Sequence, residues 1–368
     1  MKAMIRKNNF CFLIFLYVQL FSLSSQNLLP FSSHGKIGYI DENGVVIIQP
    51  QFLKGNKFNE NMAEIGNRTD TGAIEKFGYI NKKGDIVIPL QFDAAKKFES
   101  GLARVKKGDK WGMIDFEGNV VIPFSYNDIF PFNEGLALSW NSGNFGYIDI
   151  DNTIRIPHTL NGGGFFNEGL AKAKKGKTWG FINTDGEFTI LPTFEKVSDF
   201  HNKVAFVRVD KKWGLLNKNG EYVIIPTFDK VESFSDSIAA VKVNKKWGYI
   251  NTSGKWIIEA VYDNAKEYSE ELFCVKQKDK WGYINAQYNT VIPFIFENAG
   301  KLINNRARVK NNGLWGLIDN RGNYIIKPEY DKLNRITETV FLAEIDKIFY
   351  KKIYYINSIG KIIFQPVQ

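Results

Sequence analysis

The sequence contains very little cysteine and histidine, with 2 Cys and 3 His among 368 residues. Because Cys11 lies in a segment that we expect to be removed, Cys274 is the only thiol of the mature chain, and an intrachain disulfide is excluded. We interpret Cys274 as a small buried residue and not as a reactive one. His34, His158 and His201 are widely separated, without the spacing of a metal site. Stability must therefore come from packing.

Catalytic and cofactor motifs are also missing. We find no Ser/His/Asp set, and the glycine triplet at 162–164 lacks the Lys and Ser/Thr that follow a phosphate-binding loop. The residues that recur do so about ten times, which is typical of a structural requirement and not of a single catalytic constellation. We therefore predict no catalytic residues, no metal and no cofactor.

The N-terminus has the order of a secretory signal peptide. Basic residues Lys2, Arg6 and Lys7 precede an uncharged apolar run from Phe10 to Leu23, and small residues follow. The run is shorter than the ~20 residues of a membrane-spanning helix. We predict a signal peptide at 1–25, an exported protein and one repeat domain at 26–368, with an uncleaved anchor as the alternative. Removing three basic residues lowers the formal net charge from +9 to +6, so the mature chain stays basic.

A motif of the type KWGYIN recurs along the whole chain. The Trp-Gly pair or its substitute is spaced by 34 residues at every step from Phe77 to Trp315. We interpret the tryptophans of this column as structural. They are Trp111, Trp179, Trp213, Trp247, Trp281 and Trp315. Frequent glycine and proline, with β-branched and aromatic apolar runs, exclude the helical repeat of the same length and predict strands.

Each repeat reads as a hairpin followed by a third strand. A tetrad that opens with Asn or Asp, such as NTSG at 251–254, predicts a tight turn after the WGYI strand. The VIP strand follows, and we expect its proline to close it. An aromatic, often followed by an acid such as Asp229 that we interpret as a turn cap, leads to a third strand of the type LARVK. The prediction is a three-stranded antiparallel meander per repeat.

Both faces of these strands are apolar, because alternate residues of WGYI and IVIP point to opposite sides. A single meander cannot cover both of its faces, so neighbouring sheets must stack. We predict an all-β fold of about ten repeats, stacked as an open, curved or superhelical solenoid. The alternative is a closed, propeller-like ring; propellers typically have four to eight blades.

These motifs resemble the WG-repeat family, also called KWG repeats. KWGYIN and DKWGMIDFEGNVVIP match it at several positions at once, and the resemblance covers 28–368. Departures include Ile37, Phe77, Phe145 and Ile353 in place of Trp, and Tyr354 in place of Gly. The resemblance implies a bacterial, often exported repeat protein, and it supplies no family-wide catalytic residues.

Two features are candidates for binding. The first is Trp140, which occupies a position that is basic in other repeats and is expected to face solvent. The second is this basic column itself, which with the turn lysines would place positive charge along one side. The column consists of Lys106, Lys174, Arg208, Lys242, Lys276 and Lys310, and the turn lysines are Lys36, Lys76, Lys110, Lys212, Lys246 and Lys280. The alternative interpretations are a Trp covering a neighbouring repeat and a solvated, soluble face.

The leading hypothesis for function is an exported, non-enzymatic scaffold that binds a protein or a neutral or anionic glycan. The alternative is a cell-wall or polysaccharide-binding module. An enzyme acting on glycans is a third, less favoured possibility, because it requires two carboxylates in a cleft. Nucleic acid is not expected as a partner of an exported protein.

Overall fold

The computed structural model describes residues 27–68, 75–347 and 350–367, and the regular elements in these residues are strands β1–β39. The predicted signal peptide at 1–25 lies outside the described residues. The chain divides into two compact units. The first contains the described residues up to Ser125 and those from Ile362 onward, and the second runs from Tyr126 to Lys361.

The complete sheets have four antiparallel strands, which we name a to d in chain order, so the prediction of three strands is wrong. Strands b and c form a hairpin, and strand c carries the WGYI motif. Strand b is β1 Leu29–Ser33, β5 Met62–Arg68, β9 Leu102–Lys107, β13 Leu136–Asn141, β17 Ala171–Lys175, β21 Val204–Val209, β25 Ile238–Val243, β29 Phe273–Gln277, β33 Arg306–Asn311 and β37 Val340–Lys347. Strand c is β2 Lys36–Ile40, β6 Glu75–Asn81, β10 Lys110–Ile114, β14 Asn144–Ile148, β18 Thr178–Ile182, β22 Lys212–Asn217, β26 Lys246–Asn251, β30 Lys280–Ile284, β34 Leu314–Asp319 and β38 Tyr350–Asn357.

The strand missing from the prediction is strand a, which follows the recurrent aromatic and acid. In most sheets it has only two residues, too few to show a period-two pattern. It is β4 Lys54–Gly55, β8 Ala94–Glu99, β12 Asp128–Asn133, β16 Gly162–Gly163, β20 Lys196–Val197, β24 Lys230–Val231, β28 Asn264–Ala265, β32 Asn298–Ala299 and β36 Lys332–Arg335. Among the described residues, which begin at Asn27, the first sheet has three strands in the order β1-β2-β3.

Strand d continues past the proline that was expected to end it. In the second sheet Phe92 still pairs with Phe77, while a register shift separates that pair from Tyr79 and Ile88. Because strand d lies at the edge of the sheet, the missing N–H of Pro89 breaks no ladder. Strand d is β3 Val46–Phe52, β7 Ile86–Phe92, β11 Val120–Tyr126, β15 Ile154–Leu160, β19 Phe188–Phe194, β23 Tyr222–Phe228, β27 Trp256–Tyr262, β31 Thr290–Phe296, β35 Tyr324–Tyr330 and β39 Ile362–Phe364.

The turn between strands c and d follows the predicted chemistry. Asn251 Oδ1 accepts hydrogen bonds from the backbone N–H groups of Ser253 at 3.1 Å and Lys255 at 2.9 Å. The turn glycine Gly254 has a positive φ of 80°. Where this glycine is absent, Asn152 and Tyr288 adopt the same left-handed conformation, with φ of 60° and 63°. The Asn or Asp side chain therefore holds the turn even where the glycine is replaced.

The glycine after the tryptophan is required by the bulge of strand d. A Cβ on Gly248 would lie 2.4 Å from the carbonyl oxygen of Ile258 and 2.7 Å from the backbone nitrogen of Ala260. The corresponding glycines of the other sheets meet the same carbonyl, and Gly316, for instance, faces Ile326 O at 2.5 Å. Strand d thus crosses strand c too closely for a side chain at these glycines. In the last sheet, whose strand d has only three residues, Tyr354 occupies the position.

Neighbouring sheets are joined by buried tyrosines and by isoleucines that contact the turns. The hydroxyl of Tyr249 donates to the carbonyl of Lys266 in the next sheet at 2.8 Å, and Tyr283 donates to that of Gly300 at 2.6 Å. Both rings are fully buried. Each ring buries apolar surface between the sheets while its hydroxyl donates a hydrogen bond. The contact therefore leaves neither tyrosine hydroxyl unpaired.

The prediction of an open solenoid is wrong, and the alternative of a closed ring is correct. In the first unit the last strand of the chain packs on the first sheet, with the rings of Phe31 and Phe364 centred 4.7 Å apart. Turn glycine Gly84 packs against the side chain of Ile48 in the preceding strand d, and Gly44 packs against the backbone carbonyl of Ile363 and the side chain of Phe364. The C-terminal strand therefore covers the face that an open array would leave exposed. The fold is a β-propeller whose blades are these sheets.

Substitution of the glycine after the tryptophan is predicted to destabilise the fold. We expect Gly248→Ala to lower the free energy of unfolding by about 1–3 kcal/mol, because the new methyl group overlaps a backbone carbonyl. Gly300→Ala is the matched control, since its Cβ would meet only Arg308 O at 3.7 Å. Denaturant unfolding measures both variants. Equal stability of the two would contradict the requirement for glycine at this position.

The thiol of Cys274 is fully buried in the core next to Tyr283, and burial raises its pKa to about 12. The Cys11→Ser variant keeps only the thiol of Cys274. We expect this thiol to react with a disulfide reagent roughly a hundredfold more slowly in the folded variant than in the unfolded variant. Absorbance of the released thiolate measures both rates. Rapid labelling of the folded protein would show that Cys274 is accessible.

Candidate binding surface

The predicted basic column lies on strand b, directly opposite the tryptophans of strand c. Lys106 pairs with Trp111 and Lys242 with Trp247, and the other members repeat this register. The short strand a flanks the column on its other side, as where Lys230 pairs with Lys242. The repeat therefore places a cation, an indole ring and strand a side by side in each of these sheets.

The basic side chains are half-buried and do not extend freely into solvent as expected. The Nζ of Lys174 lies 5.8 Å from the ring centroid of Trp179, and that of Lys242 lies 6.0 Å from the ring of Trp247. The aliphatic part of each lysine thereby covers an indole while the charge stays near the surface. The column contributes to packing as well as to the surface charge.

Several turn lysines are neutralised by the recurrent acids. Lys76 Nζ lies 2.5 Å from Asp93 Oδ1, and Gly108 N donates to Asp93 Oδ2 at 2.7 Å. The hydrogen bond from the Lys76 ammonium, with that from Gly108, lowers the pKa of Asp93. Lys212 and Lys246 make the same ion pair with Asp229 and Asp263. The acids cap the b–c turn of the following sheet, which confirms the predicted capping role.

Trp140 is exposed, as predicted, with 37% of its surface accessible. Its ring is stacked on Phe145, which replaces the tryptophan of strand c, with centroids 6.4 Å apart and planes inclined by 28°. Phe130 of strand a in the fourth sheet contacts Phe165, which follows strand a of the fifth sheet and is 39% exposed. We call these four residues the Trp140 patch. Except for Phe145, they place aromatic rings at positions where several other repeats carry charged side chains.

The same repeat positions in the seventh and eighth sheets form a pocket of about 540 Å³. Lys242 and Trp247 line one side of it, and the residues around Lys266 line the other. Each of these positions corresponds, 102 residues earlier in the sequence, to a position in or beside the Trp140 patch, as Lys242 corresponds to Trp140 and Trp247 to Phe145. Equivalent repeat positions thus carry aromatic side chains between the fourth and fifth sheets, and mainly charged side chains between the seventh and eighth sheets.

The structural tryptophans pack as the repeat requires. Trp247 and Trp281 are buried with 5% exposure each, and Trp111, Trp179, Trp213 and Trp315 are half-buried. Trp256, which lies outside this column, is half-buried and meets Phe228 edge-on at 6.0 Å. Apart from Trp140, none of these indoles presents an exposed ring.

A serine–histidine contact was not found from the sequence. Ser139 Oγ lies 2.9 Å from His158 Nε2, joining strands b and d of the fourth sheet across 19 positions of sequence. Burial lowers the pKa of His158. Ser139 is completely buried, so its hydroxyl has no access to a substrate. The pair fills a core position, and only strand pairing brings it together.

The described ranges 27–68, 75–347 and 350–367 contain neither a metal-binding cluster of side chains nor a membrane-spanning helix. No group of three or more His, Cys, Asp or Glu residues in these ranges is arranged to hold a metal ion. No helix in the same ranges is both long and apolar enough to span a bilayer.

Comparison with known proteins gives a family and a fold. A family model described as a WG containing repeat matches nine segments, at residues 37–65, 77–111, 111–138, 145–179, 179–213, 213–247, 247–281, 281–315 and 315–346. No curated protein matches the sequence. A crystal structure of the eukaryotic initiation factor is similar, with a TM-score of 0.52 and 12% identity over 83% of this chain and 96% of that one. Hsv2 of Kluyveromyces lactis has a TM-score of 0.35 and 7% identity over 62% of this chain and 93% of that one.

The first of these structural likenesses supports the propeller and again contradicts the open array. At 12% identity it concerns the fold alone.

The Asp93 cap is predicted to make stability depend on pH. Because its pKa is lowered in the folded state, its contribution is present at neutral pH and is lost as pH falls below about 4. We expect Asp93→Asn to lower the thermal unfolding temperature at pH 7 and to lose less stability than the wild type between pH 4 and 2. Asp109→Asn, in the neighbouring turn, is the control. Identical pH profiles for wild type and Asp93→Asn would contradict the assignment.

Proposed function

Because the chain belongs to the WG-repeat family, we propose that it is an exported, non-enzymatic scaffold that binds a glycan through the surface formed by strands a, b and c. The observation that carries this proposal is the exposed Trp140 ring, which lies stacked on Phe145. Aromatic rings with one free face are suited to stacking on the apolar face of a sugar ring. Within the second unit, the basic column extends the same surface from sheet to sheet through Lys174, Arg208, Lys242, Lys276 and Lys310, and Lys106 occupies the equivalent position in the first unit.

Export is supported by the sequence of residues 1–25, with its basic start, apolar run and small residues. A protein that acts outside the cytoplasm meets envelope polysaccharides and the surface proteins of its own or other cells. A binding role at that place fits a basic, disulfide-free chain whose repeats differ mainly in their surface residues.

The non-enzymatic role is supported by what the repeated residues do. The Asn and Asp residues of the turns bond backbone amides, the acids after strand d cap turns, and the tyrosines join sheets. Each recurrent polar residue thus has a structural partner in the repeat. In Ser139 and His158, the pair that most resembles a catalytic arrangement, the serine is fully buried and the histidine is half-buried.

A protein partner is the second candidate, favoured by a separate observation. Leu191 and Ile225 occupy the same position of strand d in consecutive sheets, and they are 67% and 69% exposed. Exposed aliphatic side chains repeated along sheet edges are typical of a surface that another protein covers. A pull-down that recovers a protein partner, lost on Leu191→Ser with Ile225→Ser, would favour this function over glycan binding.

Removal of the exposed indole tests the proposed function. We expect Trp140→Ala to weaken retention on the bound polysaccharide about tenfold, because stacking of one ring contributes roughly 1–3 kcal/mol. Affinity electrophoresis on a panel of envelope polysaccharides, preceded by a glycan array at physiological salt, measures it. Tyr222→Ala removes a 44% exposed aromatic from strand d and serves as the control. Absence of any bound glycan would overturn the proposal.

A further inference from the structure

The pocket between the seventh and eighth sheets has the dimensions of a ligand site. Its volume of about 540 Å³ lies within the roughly 300–1,000 Å³ that small-molecule sites occupy. Lys242 and Trp247 contribute from the seventh sheet, and the backbone segment 263–267 contributes from the eighth. Trp247 is nearly buried and gives the pocket one apolar wall.

Three ammonium groups at this pocket form no salt bridge within 4 Å in the described part of the chain, although Lys242 also acts on Asp229 at longer range. Lys230 and Lys242 are cross-strand neighbours, and Lys266 lies across the pocket from them. Lys242 lies over Trp247, and Lys266 lies 5.1 Å from the ring centroid of Trp281. An indole face orients an ammonium group without neutralising its charge. The three cations therefore favour an anionic group in the pocket.

The carboxylates of the pocket differ in what they already bind. Asp263 accepts from Lys246 at 2.6 Å and from the backbone of Lys278 at 2.9 Å, and Glu267 pairs with Lys301 at 2.5 Å. The exposed Glu232 makes no side-chain hydrogen bond or ion pair among the described residues. It is placed to accept hydrogen bonds, and it would repel a ligand charged on all sides.

We propose that this pocket binds an acidic sugar residue of the glycan, with its carboxylate held by Lys230, Lys242 and Lys266 and a ring hydroxyl donating to Glu232. The inference rests on the proposed glycan-binding function and names the ligand class. A uronic acid combines one carboxylate with several hydroxyl donors, which matches a lining of cations beside a carboxylate. A densely sulfated or phosphorylated polymer offers fewer hydroxyl donors to Glu232 and surrounds it with more negative charge.

The neighbouring sheets show that this combination is not a property of the repeat. Thirty-four residues earlier, between the sixth and seventh sheets, the position of Lys266 is Glu232 and that of Lys301 is Glu267. Between the fourth and fifth sheets the position of Lys242 is Trp140 and that of Lys266 is Gly164. Lys242 belongs to the recurrent basic column, but the fold does not require Lys266 opposite it, so a ligand is the simpler reason for the convergence of Lys230, Lys242 and Lys266.

The test uses isothermal titration calorimetry to measure the dissociation constants of the full mature protein for several ligands. These are oligomers of galacturonate, glucuronate and alginate, and the methyl ester of the galacturonate oligomer. We expect at least one uronate oligomer to bind, and its methyl ester to bind at least about tenfold more weakly. The double variant Lys242→Gln, Lys266→Gln should show the same loss. Lys255→Gln, which removes an exposed lysine from the c–d turn of the seventh sheet, outside the pocket lining, should bind like the wild type.

Glu232→Gln separates an acidic sugar from a general polyanion. If Glu232 accepts a sugar hydroxyl, the variant binds the uronate more weakly, whereas simple charge attraction predicts tighter binding. Tighter binding by Glu232→Gln, equal loss in Lys255→Gln, or failure of every uronate oligomer to bind overturns the pocket assignment. If a neutral glycan still binds and depends on Trp140, the proposed function stands without the pocket; if no glycan binds, both fail. Thermal unfolding confirms that each variant is folded.

Discussion

The contact between the apolar faces of neighbouring sheets is the interaction on which this protein depends. Strands b and c present apolar side chains on both faces, so a single sheet exposes too much apolar surface to fold alone. Burial of each large side chain contributes about 1.5–3 kcal/mol, and the chain makes the same contact repeatedly. The hydroxyls of Tyr249 and Tyr283 donate to backbone carbonyls of the next sheet, so neither hydroxyl is buried without a hydrogen bond.

This contact explains which positions of the repeat vary. Gly248 and its equivalents leave no space for a side chain, and the Asx turn residues hold two backbone amides each. Positions beside strand a meet solvent on one side and are free to differ. At these positions the chain carries the Trp140 patch between the fourth and fifth sheets, and the pocket with Lys242 and Lys266 between the seventh and eighth sheets. A scaffold built in this way separates the residues that maintain the fold from those that select a ligand.

Much of the local structure was predictable because the repeat shows each position many times. Residue chemistry within one repeat was enough to predict the c–d turn, the capping acids and the burial of Cys274. It also predicted the place of the glycine after the tryptophan. Strand a was missed because two residues carry no periodic signal. The proline of strand d was misread because its effect depends on whether the strand is at an edge. The solvent exposure of the basic column was overestimated, since the indole opposite each lysine partly covers it.

The amino-acid sequence by itself determined the family, the β-class and the number and order of the repeats, because these follow from local periodicity and turn chemistry. Closure was decided only in three dimensions. Whether Phe364 meets Phe31 depends on a small rotation between sheets, summed over the whole array, and no single repeat encodes that sum. The pocket was likewise a tertiary outcome. Lys230, Lys242 and Lys266 come from strands of two sheets, and only stacking of those sheets brings their charges to one place.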